Sequence, residues 1–299
     1  MSHKNDMLSS DAHFKMLEKE RRANSAWNKI KRNKTAMLGL AIVSFMLLLV
    51  IFADVLAPHD PNELRLGSTF LKPGSPGHLF GTDEFGRDLL SRIIYGSRIS
   101  LFVAVGATFV GATIGILLGL VSGYAGGGLD VFIMRIMDGM MAFPFILLSI
   151  ILMTILGTGV FNVILAVGIA NIPNFARVVR GQVHVVKNED YCNAVKGIGA
   201  SHGRILFHHI LPNILSPIIV YATLNTAGSI ISEAALSFLG LGIMPPHASW
   251  GNILRAGKET LNTAPHVATI SGLFILVTVL GFNLLGDGIR DILDPKMKK

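Results

Sequence analysis

Few residues in this chain have the types and spacing that chemistry requires. Arg135 and Asp138 lie three apart, a separation that lets two side chains pair on one helix face. A structural ion pair is the expectation, with a place on a transport path as the alternative, since ionisable groups near a membrane usually serve function. Glu233 closes an apolar stretch; there a carboxylate meets a cationic substrate group or, as expected here, ends the stretch in water. His208 and His209 are adjacent, so on a helix they point about 100° apart and cannot clamp one metal as an i, i+4 pair does. The ten histidines form no HExxH or comparable spacing. Cys192 is the sole cysteine, which excludes an intrachain disulfide and leaves packing as its expected role. No G-x-x-x-x-G-K-[ST] loop is present to cradle phosphates, and the glycine-rich stretch at 123–128 lacks the lysine. The expectation is a chain with no catalytic residue, no metal site and no cofactor of its own.

The elements that hold these residues are hydrophobic. Of 299 residues, 51% are hydrophobic and 15% charged, where soluble domains average about 25% charged. Ile99 to Leu129 and Gly139 to Ala176 carry no charge at all. Runs of about 20 apolar residues span a bilayer as helices, and the absence of period-2 alternation excludes barrel strands. Hydropathy and breakers predict six spans, near 36–57, 99–121, 140–156, 160–176, 212–232 and 267–285. The predicted organisation is a basic tail (1–35), a first transmembrane helix (36–57), an external segment (58–97), a five-helix core (98–290) with a polar loop at 177–210, and a tail (291–299). The fold class is therefore all-α integral membrane.

Charge sets the orientation. The first 35 residues hold nine Lys/Arg against four acids, and 290–299 hold four against two, which together account for the whole formal excess of +7. The loop 177–209 has five basic residues against two acids, whereas 58–97 has four against five. The positive-inside rule then places both termini and the polar loop in the cytoplasm. No aromatic-interleaved basic patch suggests nucleic acid; membrane lipid is the expected surrounding. Lys15 to Lys34, with Trp27 and Ile30 among cations, suits either a surface helix or a solvated tail. Gly106, Gly111, Gly115 and Gly119 line one helix face, for packing inside one bundle or against a partner. Asn171, Pro173 and Asn174 interrupt the fourth span, to line a pathway or to kink a helix.

The polar loop has its own design. Asn188 is placed to cap a helix with Glu189 and Asp190 in its first turn. Gly199 then tolerates positive φ at the helix end, and Ser201 caps a second helix that leads through His209 to Pro212. The loop reads as helix, glycine turn, helix.

This loop resembles the coupling loop of bacterial ABC importer permeases, whose pattern is Glu-Ala-Ala, three residues, Gly, and about a dozen residues to Leu-Pro. Here Asn193-Ala194-Val195, Gly199 and Leu211-Pro212-Asn213 keep the spacing, with Asn in place of Glu and Val in place of the second Ala. Further stretches are similar to the C-type permeases of dipeptide and oligopeptide importers: Leu79 to Asp88 with Arg92, Tyr95 and Arg98; Glu233 to Gly242 with Pro245, Pro246 and Trp250; Ala57 to Pro61; and Asn283 to Asp291. The resemblance covers nearly the whole chain beyond the tail. It implies a type I importer permease in the bacterial inner membrane, with Asn193, Ala194, Val195, Gly199, Ala200 and Ser201 contacting an ATPase. It further implies a second, related permease, two ATPase subunits that carry the ATP and Mg, and an external substrate-binding protein. Short peptides are the implied cargo, with nickel or metal chelates and glutathione as alternatives. The rivals are an ion-coupled secondary transporter, a membrane-embedded enzyme and a passive scaffold. No buried coupling charges with inverted repeats and no catalytic spacing support them.

Overall fold

The computed structural model describes residue 31 and residues 33–293. The expected surface helix at Lys15 to Lys34 lies almost wholly outside the described residues, as do 294–299. Among the described residues the regular elements are helices, and extended pairing is confined to two isolated bridges, Ser75 with His78 and Thr82 with Asp88. Five helical stretches are long and apolar enough to cross a membrane, and a bent pair makes a sixth. In chain order the helices are α1 (Lys34–Ile51), α2 (Ala53–Leu56), α3 (Leu89–Ala125), α4 (Gly127–Met141), α5 (Phe145–Leu156), α6 (Val160–Val186), α7 (Asp190–Gly197), α8 (His202–Arg204), α9 (Leu211–Phe238), α10 (Trp250–Glu259) and α11 (Pro265–Leu293).

Capping fixes where the helices begin. The Asn33 side chain accepts hydrogen bonds from the N–H groups of Thr35 and Ala36, both at 3.1 Å, satisfying donors that the first turn of α1 leaves free. Its amide also donates to Asp291 at 3.1 Å, which ties the start of α1 to the end of α11. Asp88 caps α3, accepting from the Ser91 N–H and hydroxyl at 2.8 Å each. The helix therefore starts at Leu89, not near Ile99. Hydropathy misplaced the boundary because Arg92, Tyr95 and Arg98 are polar, yet they lie on a helix that continues out of the apolar layer. With 37 residues, α3 is about 55 Å long at 1.5 Å per residue, well beyond a hydrocarbon core of about 30 Å.

The third span is the main correction. Met140 to Leu156 is not one helix: α4 and α5 meet at 90°. Pro144 is the cause, because a proline disfavours the helical region for the residue before it and lacks the N–H needed to continue the ladder. Alone, the 12 residues of α5 reach only about 18 Å. The fourth span differs in the opposite sense. Pro173 is buried inside an unbroken α6 that runs on to Val186, so the Asn171–Asn174 stretch does not interrupt it.

Close approach between backbones holds the bundle together. The stripe of small residues on α3 faces α6 of the same chain. A Cβ at Gly111 would lie 2.9 Å from the Gly168 carbonyl, and one at Gly115 would lie 2.8 Å from the Ile172 carbonyl and 3.0 Å from the Ala176 N–H. Of the two readings the sequence allowed, the stripe serves packing within this bundle. A similar approach joins α1 to α11, where a Cβ at Gly39 would sit 2.9 Å from the Gly281 carbonyl. One apolar cluster, including Leu89, Ile93, Trp250 and Val267, fills the bundle at the end nearest the 57–88 segment. Another, with Leu120, Val183, Cys192 and Ile210, fills the opposite end beneath the polar loop.

Candidate functional site

The polar loop closes one end of the bundle. Helix α7 ends in a Schellman arrangement, in which two loop N–H groups turn back to carbonyls of the last turn. The Gly199 N–H donates to the Lys196 carbonyl at 3.0 Å and the Ala200 N–H to the Val195 carbonyl at 3.3 Å. Gly199 has φ +80°, a conformation that a Cβ disfavours. Val195 and Ala200, which flank the turn, both pack on the cluster beneath. Ser201 then caps the next turn, its hydroxyl accepting from the Arg204 N–H at 3.4 Å. Through α8 and a π-helical turn at Ile205–Ile210 the chain runs directly into α9, so this second helix and the fifth span are one continuous element.

One predicted cap is wrong. Glu189, with extended backbone, occupies the N-cap of α7 and makes no side-chain cap bond. The Asn188 amide instead donates back to the His184 carbonyl at 2.9 Å, because α6 continues ten residues further than hydropathy suggested, from Ala176 to Val186.

The loop is docked firmly on its inner side. Cys192 is fully buried among Leu120, Val179, Val183 and Ile205, the packing role expected of it. The Lys187 ammonium donates to the Gly123 carbonyl at 2.7 Å. Tyr124, on α3, hydrogen-bonds His202 at 2.8 Å and presents its ring to Lys196 at 5.7 Å. At the same end, Arg180 grips Asp130 with two hydrogen bonds of 2.6 Å, and the Ser122 hydroxyl donates to the same carboxylate. The outer side is open. Asn193, Ala194, Gly199 and Ser201 are exposed, while Val195 and Ala200 are half-buried. The six residues singled out in the sequence therefore lie on one compact element, four of them open and two anchoring it.

Two other sequence expectations are overturned. Asp138 pairs not with Arg135 but with Arg177 of α6, at 2.8 Å, because the bend at Pro144 folds α4 back beside α6. Glu233 does not end a span in water. It is completely buried, since α9 runs on to Phe238 and α10 folds over it. The Ser100 and Ser237 hydroxyls donate to its two oxygens at 2.9 and 2.8 Å, and Ser100 in turn accepts from the Trp250 N–H at 3.2 Å. Glu233 thus joins α3, α9 and α10. Glu233→Ala strands two buried hydroxyls and opens a cavity, a loss of about 3 kcal/mol. Glu233→Gln, which keeps the shape and one acceptor, should lose less. Thermal unfolding in detergent, expected to rank wild type above Gln above Ala, checks this; equal midpoints for Ala and wild type would contradict it.

Asn171 faces α9 and not an open pathway. It accepts from the Asn225 amide at 2.9 Å, and Asn225 accepts in turn from Thr108 at 3.3 Å. The segment before α3 is knitted by charge. Asp83 accepts from Arg87 Nε at 2.7 Å and lies 3.4 Å from Arg92 Nε, and both arginines are buried. His59, His78 and Asp88 bring their ligand atoms within 4.8 Å, the one such convergence among the described residues. Sequence spacing could not have found it, because His59 and Asp88 are 29 residues apart. Hydrogen bonds already occupy the group: His78 Nδ1 is 2.8 Å from Asp88, and His59 Nε2 is 2.9 Å from the Gly77 carbonyl. They lock the segment onto the cap of α3.

A bundle of membrane-crossing helices with a bent pair, a knitted polar cap at one end and a stiff exposed helix–turn–helix at the other defines a membrane transport subunit. Comparison with known proteins makes this specific. Residues 115–299 match the family described as binding-protein-dependent transport system inner membrane component. Residues 23–73 match the N-terminal TM domain of oligopeptide transport permease C. The chain is 45% identical over 277 residues to the dipeptide transport system permease protein DppC of Alkalihalophilus pseudofirmus, covering 91% of this chain and 90% of that one. It is 46% identical over 272 residues to the glutathione transport system permease protein GsiD of Escherichia coli O6:K15:H31, with the same coverage of each. The chain belongs to the binding-protein-dependent transport permease family.

Proposed function

We propose that this chain is one of two related permeases that together enclose an import pathway for short peptides across the bacterial inner membrane. Two ATPase subunits supply the energy, and an external binding protein delivers cargo to the face formed by residues 57–88. The observation that carries the reading is the loop: α7 and the turn at Gly199 present Asn193, Ala194 and Ser201 outward on an element stapled to α3 and continuous with α9. A push on α7 is therefore transmitted to a membrane-crossing helix and not absorbed in a slack connection. ATP and Mg belong to the partners. Closing of the ATPases favours one arrangement of the bundle by binding it better, a population shift of the ordinary kind. The basic flanks support a cytoplasmic position for the termini and the loop. The relatives named for dipeptide and glutathione transport support the cargo class, since glutathione is itself a tripeptide.

Co-purification from the native membrane tests this. Tagged wild type should bring down an ATPase and a second permease. Gly199→Trp, which places a side chain at φ +80° and undoes the turn, should lose the ATPase and keep the second permease. Wild type that recovers no ATPase from intact complexes would end the proposal.

A further inference from the structure

At the end of the bundle that carries the polar loop, α6, α9 and α11 enclose a cavity of about 390 Å³, a size in the range of small-molecule sites. Its deep end is closed where α9 and α11 touch: a Cβ at Gly286 would lie 2.7 Å from Leu224 Cδ2. Toward the polar loop a gap remains, walled by Val178, Pro217, Val220 and Leu293 with Leu224 as its floor. Eight residues separate Ser216 from Leu224, about 12 Å along α9.

Polarity is concentrated at the shallow end. Ser216 lies in the second turn of α9 and Arg290 in the last turn of α11. Arg290 is exposed and is the one charged residue in the wall. Among the described residues no hydrogen bond or ion pair holds its guanidinium. The neighbouring charges are placed elsewhere: Arg177 pairs with Asp138, Asp291 accepts from Asn33, and Asp287 is not in the wall. Tyr221, midway down, sets its ring edge-on to Phe175 with centroids 4.8 Å apart. The cavity thus offers one unpaired cation at its mouth and an apolar slot beneath.

That order selects an occupant. A peptide in the slot would bury backbone polar groups against walls that offer only the Ser216 and Tyr221 hydroxyls, at a cost for each group left unpaired. A free inorganic anion would meet Arg290 and leave the slot unfilled. A lipid satisfies both parts, with its phosphate at the mouth and an acyl chain in the slot. The depth agrees. The 29 residues of α11 reach about 43 Å, more than a hydrocarbon core of about 30 Å, so its last turn lies at headgroup level.

We propose that this cavity binds one anionic phospholipid of the cytoplasmic leaflet, with Arg290 receiving the phosphate. The proposal goes beyond the importer reading and rests on it only for the choice of leaflet.

Native mass spectrometry of the complete permease–ATPase complex, delipidated and titrated with dioleoyl phosphatidylglycerol, tests it. Wild type should hold one phosphatidylglycerol more tightly than phosphatidylethanolamine, whose own ammonium offsets the phosphate charge. Arg290→Met should weaken that adduct about fivefold or more, and Arg290→Lys should retain most of it. Val220→Trp, which fills the slot, should lose it with Arg290 in place. Arg135→Met removes an exposed cation of α4 that does not line the cavity and should change nothing. Phosphatidylglycerol should also raise the thermal midpoint of wild type and not that of Arg290→Met. Unaltered elution and lipid-free midpoint establish that each variant is folded. The proposal is overturned by the absence of a tight adduct with wild type, the result if the second permease fills the cavity. Equal affinity for the two lipids, equal losses in Arg135→Met and Arg290→Met, or displacement by millimolar inorganic phosphate overturns it too. Recovery of ATPase and second permease with a wild type that binds no lipid sinks this site alone; failure to recover them sinks the importer reading whatever the lipid result.

Discussion

Replacing Gly115 by leucine should abolish the folded bundle. At this position α3 and α6 touch backbone to backbone. A Cβ would meet the Phe175 Cβ and lie 2.8 Å from the Ile172 carbonyl, so neither neighbour can swing aside as a flexible side chain would. Overpacking usually costs about 1–3 kcal/mol. Here the obstacle includes backbone and recurs with Gly111 and Gly119 on the same face, so the helices must separate along the seam and the cost should exceed that range. Alanine already supplies the offending Cβ, so Gly115→Ala should also destabilise. The contrast is Gly181→Ala on α6, where nothing lies within 4 Å of an added Cβ; it should be neutral or gain up to about 1 kcal/mol of helix propensity. Size-exclusion recovery and the thermal midpoint in detergent measure both. A monodisperse Gly115→Leu protein with a wild-type midpoint would refute the packing argument.

Placing arginine at Ala194 should stop uptake without unfolding the permease. Ala194 is exposed on α7, two residues and so about half a turn from the buried Cys192, and its own chain does not cover it. A large charged side chain at the centre of a docking surface costs on the order of 3 kcal/mol, about a hundredfold in affinity for the ATPase. ATP-driven uptake into proteoliposomes should fall by a comparable factor. Melting and association with the second permease should stay as in wild type, because no intramolecular contact is removed. Wild-type uptake by Ala194→Arg would show that α7 does not carry coupling. Asn193→Glu, which introduces the family's carboxylate next door, probes the same surface in the opposite sense and leaves the fold unchanged for the same reason.

What was legible in the sequence was local. Apolar runs without charge give spans, whatever they pack against, because the bilayer acts on each segment separately. The turn at Gly199 and the cap at Ser201 follow from backbone preferences within a few residues, and both are present. The spacing from Asn193 through Gly199 to Pro212 carried the family, and the comparisons agree with it. The boundary errors have one source. Hydropathy stops where polar residues start, whereas α3 and α6 continue as helices beyond the apolar layer, past Arg98 in one case and Arg177 in the other.

Tertiary structure decided whatever depended on partners distant in sequence. No local signal says that Glu233 is sealed beneath α10 by Ser100, 133 residues away, or that Asp138 takes Arg177 in preference to Arg135. The 90° turn between α4 and α5 was written in Pro144, but its consequence, which side chains then meet, was not. The small residues of α3 announced a close contact, and only the bundle shows that the contact is α6 of the same chain. Which charge pairs with which is decided only once the chain is folded, because the partners lie far apart in sequence.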